Sequence, residues 1–165
     1  TQCYNTDPDQ SSWRQLYVRT ANRLAELQLS AGEPNSARAM LDAVNGAATD
    51  LASEDQALEV SVDHQLLRLE LARKAGKPLA VDVPSALPAA IAKLRGQSAA
   101  AAVSAQLRLD VIRGSLSPRL ESQAALPACG LEHRRLLRFL HRNAVATDQA
   151  ACPTIDAATS RKENP

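Results

Sequence analysis

Apolar side chains recur every three or four residues along most of this chain, a spacing typical of α-helices that pack against one another. The first such segment begins near Ser11 or Ser12, either of which can cap a helix. The residues at these steps form one helical face: Trp13, Leu16, Tyr17, Thr20, Leu24 and Leu27. Gly32 stops this helix, and Pro34 cannot continue it.

A second helix is expected directly after this stop. Asn35 or Ser36 would cap it, the helix would run through Val44, and Asn45-Gly46 is a turn signal. The two segments therefore predict a helical hairpin, in whose core Leu41 would meet Leu24 of the first helix.

Further helical segments follow, and no run alternates apolar and polar residues over the length of a strand. They cover residues 53–76, 85–94, 98–112, a short stretch that ends near 125, and 131–144. The segment 53–76 is the longest, and it carries apolar residues on two faces, as expected for a helix that lies between neighbours. The pattern predicts an all-α fold of about seven helices.

The composition indicates a single domain with a core of small and aliphatic side chains. Of 165 residues, 45% are apolar but only 2% are aromatic, so Leu, Val and Ala must fill the interior. A chain of this length suits one domain. We expect it to span residues 11–147, with a flexible tail at 1–10 and a C-terminal tail at 148–165.

Residues 18–45 carry small and large side chains in a set order around a glycine turn. The order comprises Leu24, Ala25, Gly32-Glu33, Ala37 and Leu41. It resembles the helical hairpin of tetratricopeptide repeats, although Ala21, Gln28 and Pro34 stand where that motif has aromatic residues. The unit does not recur at a fixed period. The fold is therefore either an antiparallel helical bundle or a degenerate tetratricopeptide-like stack.

The resemblance has one implication for binding. In tetratricopeptide scaffolds the first helices of each pair line a concave peptide-binding face. On that basis Arg19, Asn22 and Glu26, which share the polar side of the first helix, would face a partner. If the tetratricopeptide resemblance does not hold, these three side chains are ordinary surface residues.

The segment 131–144 carries the strongest local charge. Basic residues surround an apolar stripe of Leu136, Leu137, Leu140 and Ala144, and they are His133, Arg134, Arg135, Arg138, His141 and Arg142. The arginines can bind phosphate or an acidic partner surface, or they can form a solvated face balanced by acids such as Glu132. We expect charge reversal at Arg134, Arg138 and Arg142 to leave folding intact, because these residues lie opposite the stripe.

Net charge and hydropathy exclude some partners. The formal net charge is +1, and the aromatic side chains that would stack on bases are scarce, so nucleic acid is not an expected partner. No stretch approaches the length of apolar residues that a membrane span needs. The expected partner is another protein or a peptide, and the oligomeric state stays open.

The cysteines suggest a disulfide. Cys129 and Cys152 bracket the last helix, and a bridge between them would close a loop of about two dozen residues, stabilise the fold by roughly 3 kcal/mol and tether the C-terminal tail. Cys3 would remain a free thiol, although its tail can compete for either partner. The alternative is three reduced thiols in a cytoplasmic protein.

No catalytic motif of the common hydrolase, phosphate-binding or metalloprotease types is present. Cys129 and His133 are one helical turn apart, which suits a thiolate–imidazole pair or half of a metal site, or simply a disulfide beside a solvated histidine. We expect no cofactor and no metal.

The sequence predicts a non-catalytic, protein-binding helical domain, an accessory or adaptor subunit of a bacterial cell-envelope assembly. It would be periplasmic or secreted, after removal of a targeting segment. One alternative is an inhibitor or immunity protein that blocks a secreted toxin, and it would present a rigid charged surface where an adaptor exposes an apolar groove. Another is an all-α enzyme with Cys129 as nucleophile. A third is a cytoplasmic regulator.

Overall fold

The computed structural model describes residues 11–76, 84–114 and 130–145, and these ranges are helical without any β-strand. The predicted all-α fold is therefore confirmed. The seven α-helices in these ranges are α1 Ser11–Ser30, α2 Pro34–Ala43, α3 Asn45–Leu51, α4 Leu58–Lys74, α5 Leu87–Leu94, α6 Ala99–Arg113 and α7 Leu131–Arg142. The helix predicted to end near residue 125 and the two predicted tails lie outside the described residues.

Helix α4 lies at the centre of the bundle. It contacts α1, α2 and α3 on one side and α5 and α6 on the other. Its apolar residues on both faces are buried, and Leu66 and Leu67, which are adjacent in the chain, have no exposed surface. The expectation that this helix lies between neighbours is correct.

The buried side chains form three clusters around α4. The largest joins α4 to α5, α6 and α7, and Leu66, Ile91, Leu109 and Phe139 are among its members. A second joins α1 to α3, and a third joins α1 to α2. Alanines occupy many of the positions next to α1, because a small side chain lets two helix axes approach closely.

A tight turn joins α1 to α2 in the predicted hairpin. Gly32 has φ of +80°, a conformation that glycine adopts without steric cost. Pro34 is the first residue of α2, with Glu33 at the N-cap position. The expectation that Asn35 or Ser36 caps this helix is wrong, because proline suits the first helical position, where no backbone donor is needed.

The chain departs from the sequence-based boundaries in two further places. Asn45-Gly46 does not form a turn but begins α3, which buries Ala48 and Leu51 against its neighbours. The segment predicted from residue 53 contains a short 3-10 helix, Asp55–Ala57, before α4 begins at Leu58. As a result α4 has 17 residues, fewer than the 20 of α1.

Candidate functional site

Helix α1 buries a face of mostly small and polar residues and exposes four of its large apolar ones. Trp13, Leu16, Leu24 and Leu27 are each at least 40% exposed, and we call them the α1 stripe. The prediction that Leu24 lies in the hairpin core is therefore wrong, whereas Leu41 is buried as predicted. The physical reason is the close approach of α2 and α4, which fits Ala25 rather than a leucine.

Asn22 lies in the interior rather than on a partner-facing surface. Its side chain is 2% exposed. Its amide nitrogen donates to the carbonyl oxygen of Val60 over 3.1 Å, and its amide oxygen lies 3.1 Å from Nδ1 of His64. Arg19, by contrast, is exposed as expected.

Glu26 is also buried, contrary to expectation, and it holds α1 against α7. Its carboxylate accepts hydrogen bonds from Arg23 over 2.8 Å and from Nε of Arg135 over 3.3 Å. Burial by itself raises the pKa of Glu26, but the surrounding guanidinium groups of Arg135, Arg108 and Arg23 hold the pKa below its ordinary value. The carboxylate is therefore charged at neutral pH.

Arg135 belongs to an internal ion network. Its guanidinium pairs with Glu26 of α1, with Asp63 of α4 and with Glu132 of its own helix. Asp63 also accepts a hydrogen bond of 2.8 Å from Arg108, which is 1% exposed. Burial lowers the pKa of Arg135, but the carboxylates outweigh it and raise the pKa above its ordinary value.

Arg142 forms a second buried ion pair. Its Nε and Nη2 atoms donate to the two carboxylate oxygens of Glu70 over 2.7 and 2.9 Å. Glu70 has no exposed surface. Arg142 also lies over the ring of Phe139, as Arg108 does. The placement of Arg142 on a solvated face is therefore wrong. We now expect charge reversal at Arg142 to disturb folding, because it would place two carboxylates together in the interior.

The rest of the basic helix lies at the surface beside α1. Arg134 is exposed and Arg138 is half-buried. Burial lowers the pKa of Arg138, and the positive charges of Arg23, Arg135 and Arg142 lower it further. The carboxylate of Glu26 acts in the opposite direction. We call Arg19, Arg23, Arg134 and Arg138 the basic rim. Of these four, Arg23 pairs with Glu26 over 2.8 Å.

The apolar stripe predicted for α7 is partly correct. Leu136 and Leu140 are buried, but Ala144 is exposed. Phe139 is buried although the sequence pattern did not assign it to the stripe. It fills the space between the two buried arginines, so its burial depends on residues far away in the sequence.

An open cleft of about 590 Å³ lies between α2, α3 and α4. We call it the polar cleft. Its walls are partly apolar, with Leu41, Ala48, Leu69 and Leu71, and partly polar, with Arg38, Asp42, Asn45, Ser61, His64, Gln65 and Arg68. The sequence pattern did not indicate this site. Its local signal is three consecutive polar residues, Asp63 to Gln65, in the middle of α4.

Some predicted features lie beyond the parts of the chain that the structure describes. These include Cys3, Cys129 and Cys152, so the disulfide and any pairing of Cys129 with His133 stay predictions. Within the described ranges, no cluster of three or more His, Cys, Asp or Glu residues is placed to hold a metal ion. No helix in those ranges is long and apolar enough to cross a membrane.

Comparison of the chain with family models, with curated proteins and with solved structures finds no match. Function is therefore inferred from the geometry of the chain's own residues.

Proposed function

We propose that this chain is a non-catalytic protein-binding domain, an accessory or adaptor subunit of a bacterial cell-envelope assembly, and that its docking surface is the α1 stripe with the adjoining basic rim. The observation that carries the proposal is the orientation of α1. The helix turns Trp13, Leu16, Leu24 and Leu27 outward. Two alanines, two polar residues, a valine and a single leucine face the interior.

Single exposed leucines are common on protein surfaces, but a row of them along one helix suggests an interaction site. The α1 stripe runs from Trp13 to Leu27, roughly 21 Å along the helix axis at 1.5 Å per residue. This length matches about four turns of a partner helix laid alongside. Aromatic side chains such as Trp13 are enriched at the energetically important positions of interfaces.

The basic rim specifies the charge of the partner. The positive charge of Arg23 lowers the pKa of Arg138, and the carboxylate of Glu26 opposes this effect. An acidic side chain on a partner would act in the same direction as Glu26 and pair with arginine, which binds carboxylates in a bidentate geometry. The occupant we propose is therefore an amphipathic helix whose apolar stripe is flanked by Asp or Glu.

This surface supports the adaptor in preference to the toxin inhibitor, since its centre is apolar and its charge is confined to one edge. The periplasmic or secreted location is part of the same proposal and is supported by Cys129 and Cys152, which the sequence places on either side of α7. Non-reducing peptide mapping tests it. Three thiols that alkylate without reductant would contradict the location, and rapid alkylation of Cys129 would favour the enzyme alternative.

The docking surface is tested with two synthetic helical peptides that share an apolar stripe and differ in their flanks, one with Glu and one with Lys. Fluorescence anisotropy should show that the full chain binds the Glu peptide at least about tenfold more tightly, an advantage worth roughly 1.4 kcal/mol. Added salt should weaken that binding, because rim charges act through screened electrostatics.

A matched pair of double variants provides the control. Leu24→Glu with Leu27→Glu should abolish binding without unfolding the chain, because both leucines are exposed. Ala89→Glu with Ala92→Glu puts the same two charges at the same spacing on the exposed face of α5 and should leave binding unchanged. Equal binding of both peptides, or equal behaviour of the two double variants, would refute the proposal.

A further inference from the structure

The polar cleft, on a different part of the bundle from the α1 stripe, has the size of a small-molecule site. Its volume of about 590 Å³ falls within the range of roughly 300–1,000 Å³ that such sites occupy. Leu41 and Leu69 supply apolar wall, while Asn45, His64 and Gln65 supply polar groups. This combination of apolar wall and a few convergent polar atoms is characteristic of ligand sites.

The hydrogen bonds around His64 define its tautomer. Asn22 uses its amide nitrogen to donate to the carbonyl oxygen of Val60, so its amide oxygen faces the histidine ring. Nδ1 of His64, which lies 3.1 Å from that oxygen, must therefore carry the proton and donate it. In a neutral imidazole the other nitrogen, Nε2, is then an acceptor.

That arrangement leaves acceptors facing one another in the cleft. Nε2 of His64 lies 3.4 Å from the amide oxygen of Asn45, and this oxygen already accepts a hydrogen bond of 2.9 Å from Arg68. Nearby, the buried amide oxygen of Gln65 has no hydrogen-bond partner. A buried acceptor without a donor costs about 1–3 kcal/mol. The cleft therefore favours a ligand that brings hydrogen-bond donors.

The charged side chains that line the cleft restrict the chemical class of the ligand further. Arg38 is exposed at its edge and forms no ion pair within the described part of the chain. Arg68 already pairs with Asp42 over 3.1 Å. Two guanidinium groups disfavour an amine as the donor. A ligand that offers acceptor oxygens alone is disfavoured as well, because it brings no donor to Nε2 of His64.

We infer that the polar cleft binds a small hydroxycarboxylate with an apolar body. Its hydroxyl donates to His64 Nε2, its carboxylate pairs with Arg38, and its hydrocarbon part contacts Leu41 and Leu69. A hydroxyl is the donor that fits, because it is uncharged and compact.

The test uses 2-hydroxy-4-methylpentanoate as a probe and the full chain labelled with ¹⁵N. The probe should shift the Nε2 resonance of His64 at millimolar concentration, as expected when that nitrogen gains a hydrogen bond. The matched compound 4-methylpentanoate, which lacks the hydroxyl, should bind about tenfold more weakly, since it leaves the acceptors unpaired.

The matched compound tests the hydroxyl end of the ligand, and a variant tests its carboxylate end. Arg38→Ala removes the cation, so it should weaken binding of the probe several-fold. Arg95→Ala removes an equally exposed arginine outside the cleft and should have no effect. An unshifted Nε2 signal, equal binding of the two compounds, or equal effects of Arg38→Ala and Arg95→Ala would overturn the inference.

Discussion

Replacement of Arg142 by methionine should destabilise the fold strongly, because it leaves the carboxylate of Glu70 without its guanidinium partner. Glu70 has no exposed surface, and the Arg142 side chain is 6% exposed, so solvent cannot replace the lost contact. Breaking a buried ion pair by removal of one member costs about 3–5 kcal/mol. The loss of the contact between Arg142 and the ring of Phe139 acts in the same direction.

The measurement is urea denaturation followed by circular dichroism, with the free energy of unfolding taken at each concentration. A loss of this size is a large fraction of the roughly 5–15 kcal/mol that stabilises a typical domain. Arg134→Met, on an exposed position of the same helix, should cost less than about half a kcal/mol. The double variant Glu70→Met with Arg142→Met should recover most of the stability, because no buried charge remains.

Similar losses for Arg142→Met and Arg134→Met would refute this reasoning, since they would show that Arg142 contributes no more than a solvated surface residue. Failure of the double variant to recover stability would also contradict it. In that case the cost would come from lost packing of the arginine side chain and not from the isolated carboxylate.

Two further predictions concern the hairpin and the buried histidine. Leu41→Ala should cost about 2–5 kcal/mol in urea denaturation, whereas Leu24→Ala should cost less than about 1 kcal/mol because its side chain is 40% exposed; equal losses would mean that α1 faces the other way. Burial, with the nearby charge of Arg68, lowers the pKa of His64 to about 4 from an ordinary 6.5. The contribution of neutral His64 to the free energy of unfolding should therefore be fully present above pH 6.5. It should fall as the pH drops toward 4, by up to roughly 3 kcal/mol. A His64→Gln variant with an unchanged pH dependence would contradict this.

The sequence predicted the helices well because their periodicity is a local property. The segments that became α4, α6 and α7 each carry their own apolar spacing and their own end signals, such as Gly114 with φ of +69° after α6. Helix starts were less accurate. The turn expected at Asn45-Gly46 became a helix because Ala48 and Leu51 gain burial there, and that gain depends on the neighbouring helices.

The candidate site could not be predicted to the same extent, because its contacts join residues that are far apart in the sequence. Glu70 and Arg142 are separated by 72 positions, and Glu26 and Arg135 by 109. A charged residue that pairs across such a distance looks like a surface residue when its own helix is read alone. Arg19 and Arg134 are exposed, as the pattern of their own helices predicted.

The buried polar contacts and the exposed apolar residues of α1 have a common physical cause. A leucine buried from water stabilises a fold by about 1.5–3 kcal/mol, so rotation of α1 to bury Leu24 and Leu27 would be favourable if burial alone decided. The same rotation would expose Ala25 and break the hydrogen bonds of Asn22 with Val60 and His64. It would also remove Glu26 from Arg135, which would leave a guanidinium buried with fewer partners. Unpaired buried polar groups cost about 1–3 kcal/mol each, and more when charged. The polar contacts therefore determine which way α1 faces. They keep the α1 stripe at the surface, where a partner can bury it.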